Sequence, residues 1–289
     1  MADKPPASPP AIPTAAPDGA SAPDLAAIKA RQQTTWASGD FSAVATTIVS
    51  VSERLVDSAD LHAGWRVLDV ATGSGNAAIA AARLGTEATG CDYVPALLER
   101  GRERAAAERL PVTLVEGDAE ELPFPDGDFD AVLSVYGSMF APDQGRTAAE
   151  IARVCRPGGR VALASWTPEG FLGDMFRTMA AHVPPPAGVA SPMLWGSEQH
   201  LAELFDESVD WTAHERRVHT FRFTSPEAFV DFFATNYGPT HKGFESLGEN
   251  AGALRSDLTE LAGEWNRLGP DAGAIAIPGE YLESVGERV

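Results

Sequence analysis

The chain has 289 residues, 44% of them hydrophobic and 22% charged, enough for one large globular domain or two small ones. Its 22 basic against 41 acidic residues give a net charge of −19, so a nucleic-acid backbone or an anionic membrane surface would be repelled over most of the molecule. No apolar run is long enough to span a bilayer, and Cys91 and Cys155 lack the CxxC spacing of a thiolate zinc or redox site. No membrane, nucleic acid or metal is therefore expected as a partner, and the two thiols read as reduced in a cytoplasmic protein.

Residues 1–23 hold seven Pro and seven Ala without a signal-peptide apolar segment, a composition that predicts a disordered, partly polyproline tail that folding does not need. Order is expected from Asp24, an N-cap for the helical spacing of Leu25, Ile28 and Ala30, and a second helix is expected over Phe41 to Asp60. After Gly64, the apolar WRVLDVA predicts a strand and the Ala-rich GNAAIAAARLG a helix closed by Gly85. The alternation repeats: EATGCD, then a helix from Pro95 to Arg109; VTLVE, then a loop; FDAVLSVY, then a helix from Asp143 to Cys155; PGG, then RVALASW. Strands and helices alternating through short connections predict an α/β fold with a parallel, doubly wound sheet. Beyond Trp166 the alternation stops. Thr167 to Gly196, with its Pro184 to Pro186 run, reads as a helix plus a long inserted loop. One or two strands over Val209 to Phe223, a helix near Glu227 to Ala234, the loop NYGPTHKGF, a helix from Ala251 to Leu268 and a last strand in EYLESVGERV complete the chain.

The turn after the first strand, Asp69 to Asn76, puts small residues where strand meets helix, so that a ligand can approach the backbone and the helix N-terminus can offer amides to an anion. GSGNAA also satisfies the dinucleotide pattern GxGxxG with Ala last, which leaves NAD open as a ligand. Asp69 argues against it: a carboxylate inside an apolar strand needs a hydrogen-bond partner in the loop. Asp92, at the end of the second strand, suits the ribose diol of either NAD or S-adenosylmethionine. Asp118 and the Ala119 amide, after VTLVE, suit the amine and ring nitrogen of adenine.

VLDVATGSGNAAI, GCDYVPALLERGRERA, EGDAEELPFPDGDFDAVLS and RVCRPGGRVALASW, in this order from about Trp65 to Trp166, resemble the class I S-adenosylmethionine-dependent methyltransferases, specifically the ubiquinone/menaquinone-biosynthesis-like small-molecule branch. The resemblance implies a mostly parallel seven-stranded, Rossmann-like sheet with N-terminal helices and an inserted cap. It divides the ordered chain into residues 24–64 (N-terminal helices), 65–166 (cofactor half) and 167–289 (cap and acceptor half). It also implies S-adenosyl-L-methionine as cofactor, with Asp69, Ala71, Gly73 and Gly75 around the methionine part, Asp92 on the ribose, Tyr93 beside the adenine, Asp118 and Ala119 on its edge, and Ser134 near the methionine amino group. The family usually has Gly where Ala71 stands; alanine is expected to fit if its φ stays negative.

A sulfonium methyl is already activated, so methyl transfer to a small organic acceptor, at oxygen or carbon, needs mainly orientation and exclusion of water. An NAD-dependent oxidoreductase and a noncatalytic or repurposed member of the fold are the alternatives. If a general base assists, His182 and His241 are the candidates among six histidines, because His182 precedes the Pro run of the inserted segment and His241 lies in the Gly- and Pro-containing NYGPTHKGF. Trp36, the Phe171 to Trp195 insertion and NYGPTHKGF are expected to close over the site, and EGDAEE, apart from Asp118, to be a solvated loop.

Overall fold

The computed structural model describes residues 23–270 and 272–289; the expected tail, apart from Pro23, lies outside the described residues. Three helices lead in: α1 (Leu25–Trp36), α2 (Phe41–Thr47) and α3 (Val49–Ser58). The alternating half follows as β1 (Arg66–Val70), α4 (Asn76–Arg83), β2 (Glu87–Asp92), α5 (Pro95–Ala107), β3 (Thr113–Glu116), β4 (Phe129–Val135), α6 (Gln144–Val154) and β5 (Cys155–Trp166). Then come α7 (Phe171–His182), α8 (Glu198–Phe205), β6 (Val209–Phe223), α9 (Pro226–Asn236), α10 (Gly238–Leu247), α11 (Ala251–Glu264) and β7 (Ile275–Arg288).

The seven strands form one sheet in the order β3-β2-β1-β4-β5-β7-β6, parallel from β3 through β5 and antiparallel at the β5–β7 and β7–β6 seams. Both faces are covered, and Val67, Leu68, Val70, Ala131, Val132, Leu133 and Val161 to Ala164 are buried, the near-continuous apolar runs of a sheet packed on two sides. The sequence order reverses between β1 and β4, so a crevice opens beyond their C-terminal ends.

Three sequence expectations give way here. The helix expected over Phe41 to Asp60 breaks at Ile48, within the β-branched run TTIV: the Thr46 and Thr47 hydroxyls donate to the carbonyls of Ala43 and Val44, competing with the helical ladder. NYGPTHKGF is mostly helix rather than loop, because Pro239 falls in the first turn of α10, where no amide hydrogen is required. The last strand begins at Ile275 and pairs over its full length with the single strand β6, forming a long antiparallel ribbon.

Ala71 takes a φ of +53°, not the negative value expected of it. Its Cβ is accommodated by Gly137, where an added Cβ would fall 2.6 Å from that of Ala71 and closer still to its carbonyl oxygen. The two positions are matched. Gly137→Ala is therefore expected to destabilise the fold by about 1–3 kcal/mol through overpacking against backbone, read as a fall in thermal midpoint; an unchanged midpoint would contradict this packing.

Candidate functional site

The crevice deepens into a cavity of about 1160 Å³ counted with its open mouth, acidic at one end and aromatic at the other. Asp69, 2% exposed on β1, accepts hydrogen bonds from the hydroxyl of Thr72 (2.5 Å), the loop partner its position demanded, and from the amide of Ala78 (3.1 Å) in the first turn of α4. Burial pushes its carboxyl up to about 7, against the lowering effect of those bonds. Asp92, at the end of β2, accepts from the Gly73 amide (2.8 Å) through one oxygen and from the Val94 amide (2.9 Å) through the other; burial raises it to about 6.

These bonds decide what the glycine turn can do. The Gly73 and Ala78 amides, expected to await an anion, are taken by the chain's own carboxylates. A pyrophosphate would meet two acids where a dinucleotide site presents free amides, whereas a cationic ligand bearing a diol would be welcome.

Asp118 and Glu120 continue the acidic wall, and both pair with Lys29 of α1 at 2.5 Å. Burial pulls the Lys29 ammonium down, but its bonds to the two carboxylates outweigh this and hold it charged. Glu120 is 4% exposed and accepts the Asp143 amide at 2.8 Å, so EGDAEE is not simply a solvated loop. Gln32 of α1 donates to the Phe140 carbonyl (3.1 Å) and Gln33 to that of Tyr93 (2.5 Å). Sequence reasoning missed Lys29, Gln32, Gln33 and Glu120. A signal existed for the first three, whose i, i+3, i+4 spacing forms one polar helix face.

The aromatic end is organised around Trp36, whose ring lies edge-on to Phe41 (5.6 Å between centroids), Phe140 (5.0 Å) and Tyr237 (5.5 Å). Trp166, Leu172, Phe221 and Phe233 line the deeper part. The expected closure is met only in part: Trp36 and Tyr237 line the cavity, but Phe171 and Trp195 are fully buried core and Leu172 is what the insertion supplies.

Of the residues expected to bind cofactor, Asp69, Ala71, Gly73, Asp92, Tyr93, Asp118 and Ala119 line this one cavity. Gly75 and Ser134 do not. Gly75, at φ +85°, donates its amide to the Thr72 carbonyl and turns the chain into α4. The Ser134 hydroxyl donates to the Val70 carbonyl (2.8 Å) and accepts the Ser138 amide (3.1 Å), tying the loops after β1 and β4 together. Neither candidate base reaches the cavity: His182 bonds Asp257 of α11 at 2.7 Å, and His241 Nδ1 bonds the Ala234 carbonyl at 3.0 Å. Among the described residues, no histidine lines it and no cluster of side chains suits a metal ion.

Residues 68–163 match the family described as a methyltransferase domain. An uncharacterised protein of Mycobacterium tuberculosis is 41% identical over 236 residues, covering 80% of this chain and 86% of that one. The demethylmenaquinone methyltransferase of Thermus thermophilus is 36% identical over 154 residues, 52% of this chain and 70% of the relative. The chain belongs to the class I S-adenosylmethionine-dependent methyltransferases. Among solved structures, YcgJ from Bacillus subtilis shares the fold at a TM-score of 0.57 with 20% identity, over 83% of this chain and 98% of that one. A geranyl diphosphate methyltransferase in complex with its methyl donor does so at 0.52 and 18%, over 83% and 85%. The enzyme's cofactor is S-adenosylmethionine, and the acidic, amide-poor end of the cavity accords with a donor that carries a sulfonium, an ammonium and a ribose diol.

Proposed function

We propose that the enzyme methylates oxygen or carbon of a small organic acceptor of phenolic, quinone-like or polyketide-like kind. The observation that supports this is the continuity of one cavity from Asp92 and Asp118 to the aromatic chamber around Trp36. In this reading Asp92 receives the ribose hydroxyls, its carboxylate fixed by the Gly73 and Val94 amides. Asp118 and Ala119 hold the adenine edge, Tyr93 flanks the ring, and Asp69, Ala71 and Gly73 shape the methionine end. The N-terminal helices of residues 24–64 and the helices of 167–289 cover the acceptor side of the cofactor half, 65–166, while β6 and β7 extend its sheet.

Bound S-adenosylmethionine supplies an activated methyl group, so the chain's task is alignment and dryness. Side chains that fix two reactants in line can supply several kcal/mol of the barrier, and the aromatic chamber keeps water from competing. No step is assigned to His182 or His241; replacing either by Ala is expected to leave turnover within about twofold, whereas a general base would cost roughly 100-fold or more.

The test is calorimetry with S-adenosylmethionine and NAD, followed by a screen of the three acceptor classes for release of S-adenosylhomocysteine and a product heavier by one methylene. NAD binding in place of the methyl donor, or donor binding without any methylated product across the screen, would overturn the reading.

A further inference from the structure

The two ends of α1 are held in different ways. Its C-terminal end packs backbone to backbone on the corner between α9 and α10: a Cβ added at Gly39 would fall 2.7 Å from the Asn236 carbonyl oxygen, and one added at Gly238 closer still to that of Thr35. The Trp36 ring seals this corner against Tyr237. Toward its N-terminus the helix has no comparable anchor. None of its residues is buried, and among the described residues its hydrogen bonds and ion pairs to the cofactor half come from three side chains: Lys29 on Asp118 and Glu120, Gln32 on the Phe140 carbonyl and Gln33 on that of Tyr93.

Lys29, Gln32 and Trp36 also line the cavity, from its acidic end to its aromatic end. A helix that lines a cavity and buries none of its residues is the wall between that cavity and solvent. Part-exposed polar contacts are individually weak, so such a wall opens far more readily than the core does. Lys29 stands out within it as the one cation that lines the cavity among the described residues. Its two partners differ. Glu120 is buried and fixed by the Asp143 amide, whereas Asp118 is part-exposed, with Oδ1 accepting the Glu120 amide (2.9 Å) and Oδ2 carrying the Lys29 ammonium.

We propose that Lys29 is a positioning residue that latches α1 over the bound donor, with buried Glu120 as its fixed catch. S-adenosylmethionine enters and S-adenosylhomocysteine leaves when the N-terminal part of α1 swings out about the pinned segment from Trp36 to Gly39. The proposal rests on the donor placement above, in which the adenine edge lies on Asp118, directly behind Lys29. Lys29 takes part in no bond that forms or breaks; it acts by holding shut the wall that carries Gln32 and Trp36. A latch and a donor contact leave different kinetic marks. Losing a contact speeds dissociation and weakens affinity in step, whereas losing a latch speeds association and dissociation together.

Stopped-flow tryptophan fluorescence with S-adenosylmethionine reads both rates. Lys29→Met is expected to raise each at least about fivefold while the dissociation constant stays within about threefold, and Lys29→Arg, which keeps the charge, to restore slow exchange. Faster dissociation with affinity weakened in step, two unchanged rates, or no rescue by arginine overturns the latch. The unmodified protein gives a second readout, because the chain has only three lysines. Brief treatment with acetic anhydride followed by mass spectrometry is expected to find Lys29 modified at least about fivefold more slowly than Lys242, which pairs with the exposed Glu245, and more slowly again with S-adenosylhomocysteine bound. Equal reactivity of the two lysines, or a Lys29 rate that bound S-adenosylhomocysteine leaves unchanged, overturns the closed wall. Asp92→Ala tests the donor placement separately, since Asp92 bonds the Gly73 and Val94 amides rather than α1. Unchanged affinity there, with both rates raised in Lys29→Met, removes the ribose placement and leaves the latch standing.

Discussion

Asp92→Ala is expected to weaken S-adenosylmethionine binding by about 1.5–3 kcal/mol, roughly 10- to 150-fold in dissociation constant. Two effects combine. The charge-assisted acceptor for the ribose hydroxyls is lost, and the Gly73 and Val94 amides, which the carboxylate holds at 2.8 and 2.9 Å, are released, so that the glycine turn loosens. Asp92→Asn separates them, because the amide oxygen still accepts one of the two backbone bonds while the charge is gone. Isothermal calorimetry on both variants, with circular dichroism to establish folding, is the measurement. Unchanged affinity in a folded Asp92→Ala protein would remove the ribose assignment. Asp118→Ala is expected to cost less, since the Ala119 amide remains and since Asp118 already shares the Lys29 ammonium with Glu120.

The second large effect is electrostatic. Asp69 rises from an ordinary 3.8 to about 7 on folding because burial disfavours its charge. The native state therefore holds this proton more tightly than the unfolded chain, and the stability it contributes is fully present below pH 4 and lost as pH climbs through about 7. The span of roughly three pH units corresponds to a cost on the order of 4 kcal/mol once the carboxylate is ionised. Asp69→Asn, which can still accept from Thr72 and Ala78, is expected to be more stable than the wild type at pH 8 and no more stable at pH 4. Chemical denaturation of both proteins at the two pH values isolates this group from the surface carboxylates, whose ion pairs act in the opposite sense. A pH-independent difference would show that Asp69 does not ionise in this range. The same linkage makes the donor's affinity rise with pH: a cationic ligand beside Asp69 and Asp92 favours their charged forms, and calorimetry between pH 5.5 and pH 8 should register proton release on binding.

The sequence by itself determined the alternating half of the fold and most of the acidic end of the site. Its central strands β1, β4 and β5 carry apolar runs buried on both faces, its helices are Ala-rich or amphipathic, and Asp69 near the end of β1, Asp92 at the end of β2 and Asp118 just after β3 lie at the one edge where a doubly wound sheet opens. These signals are local, carried within a strand and the turn after it. The tertiary structure alone decided what lies opposite. Lys29 meets Asp118 across 89 positions, Trp36 meets Tyr237 from the far end of the chain, and Ser58 meets Glu283 across 225. No periodicity encodes such pairings, because each depends on how a helix packs over a sheet rather than on its own pattern. The two histidines mark the same boundary: residue type made them candidates, but packing turned one toward Asp257 and the other toward the Ala234 carbonyl. Ala71 shows it in backbone geometry. A left-handed alanine is strained on its own, and only the missing side chain of Gly137, 66 residues away and brought alongside by the sheet, gives it room.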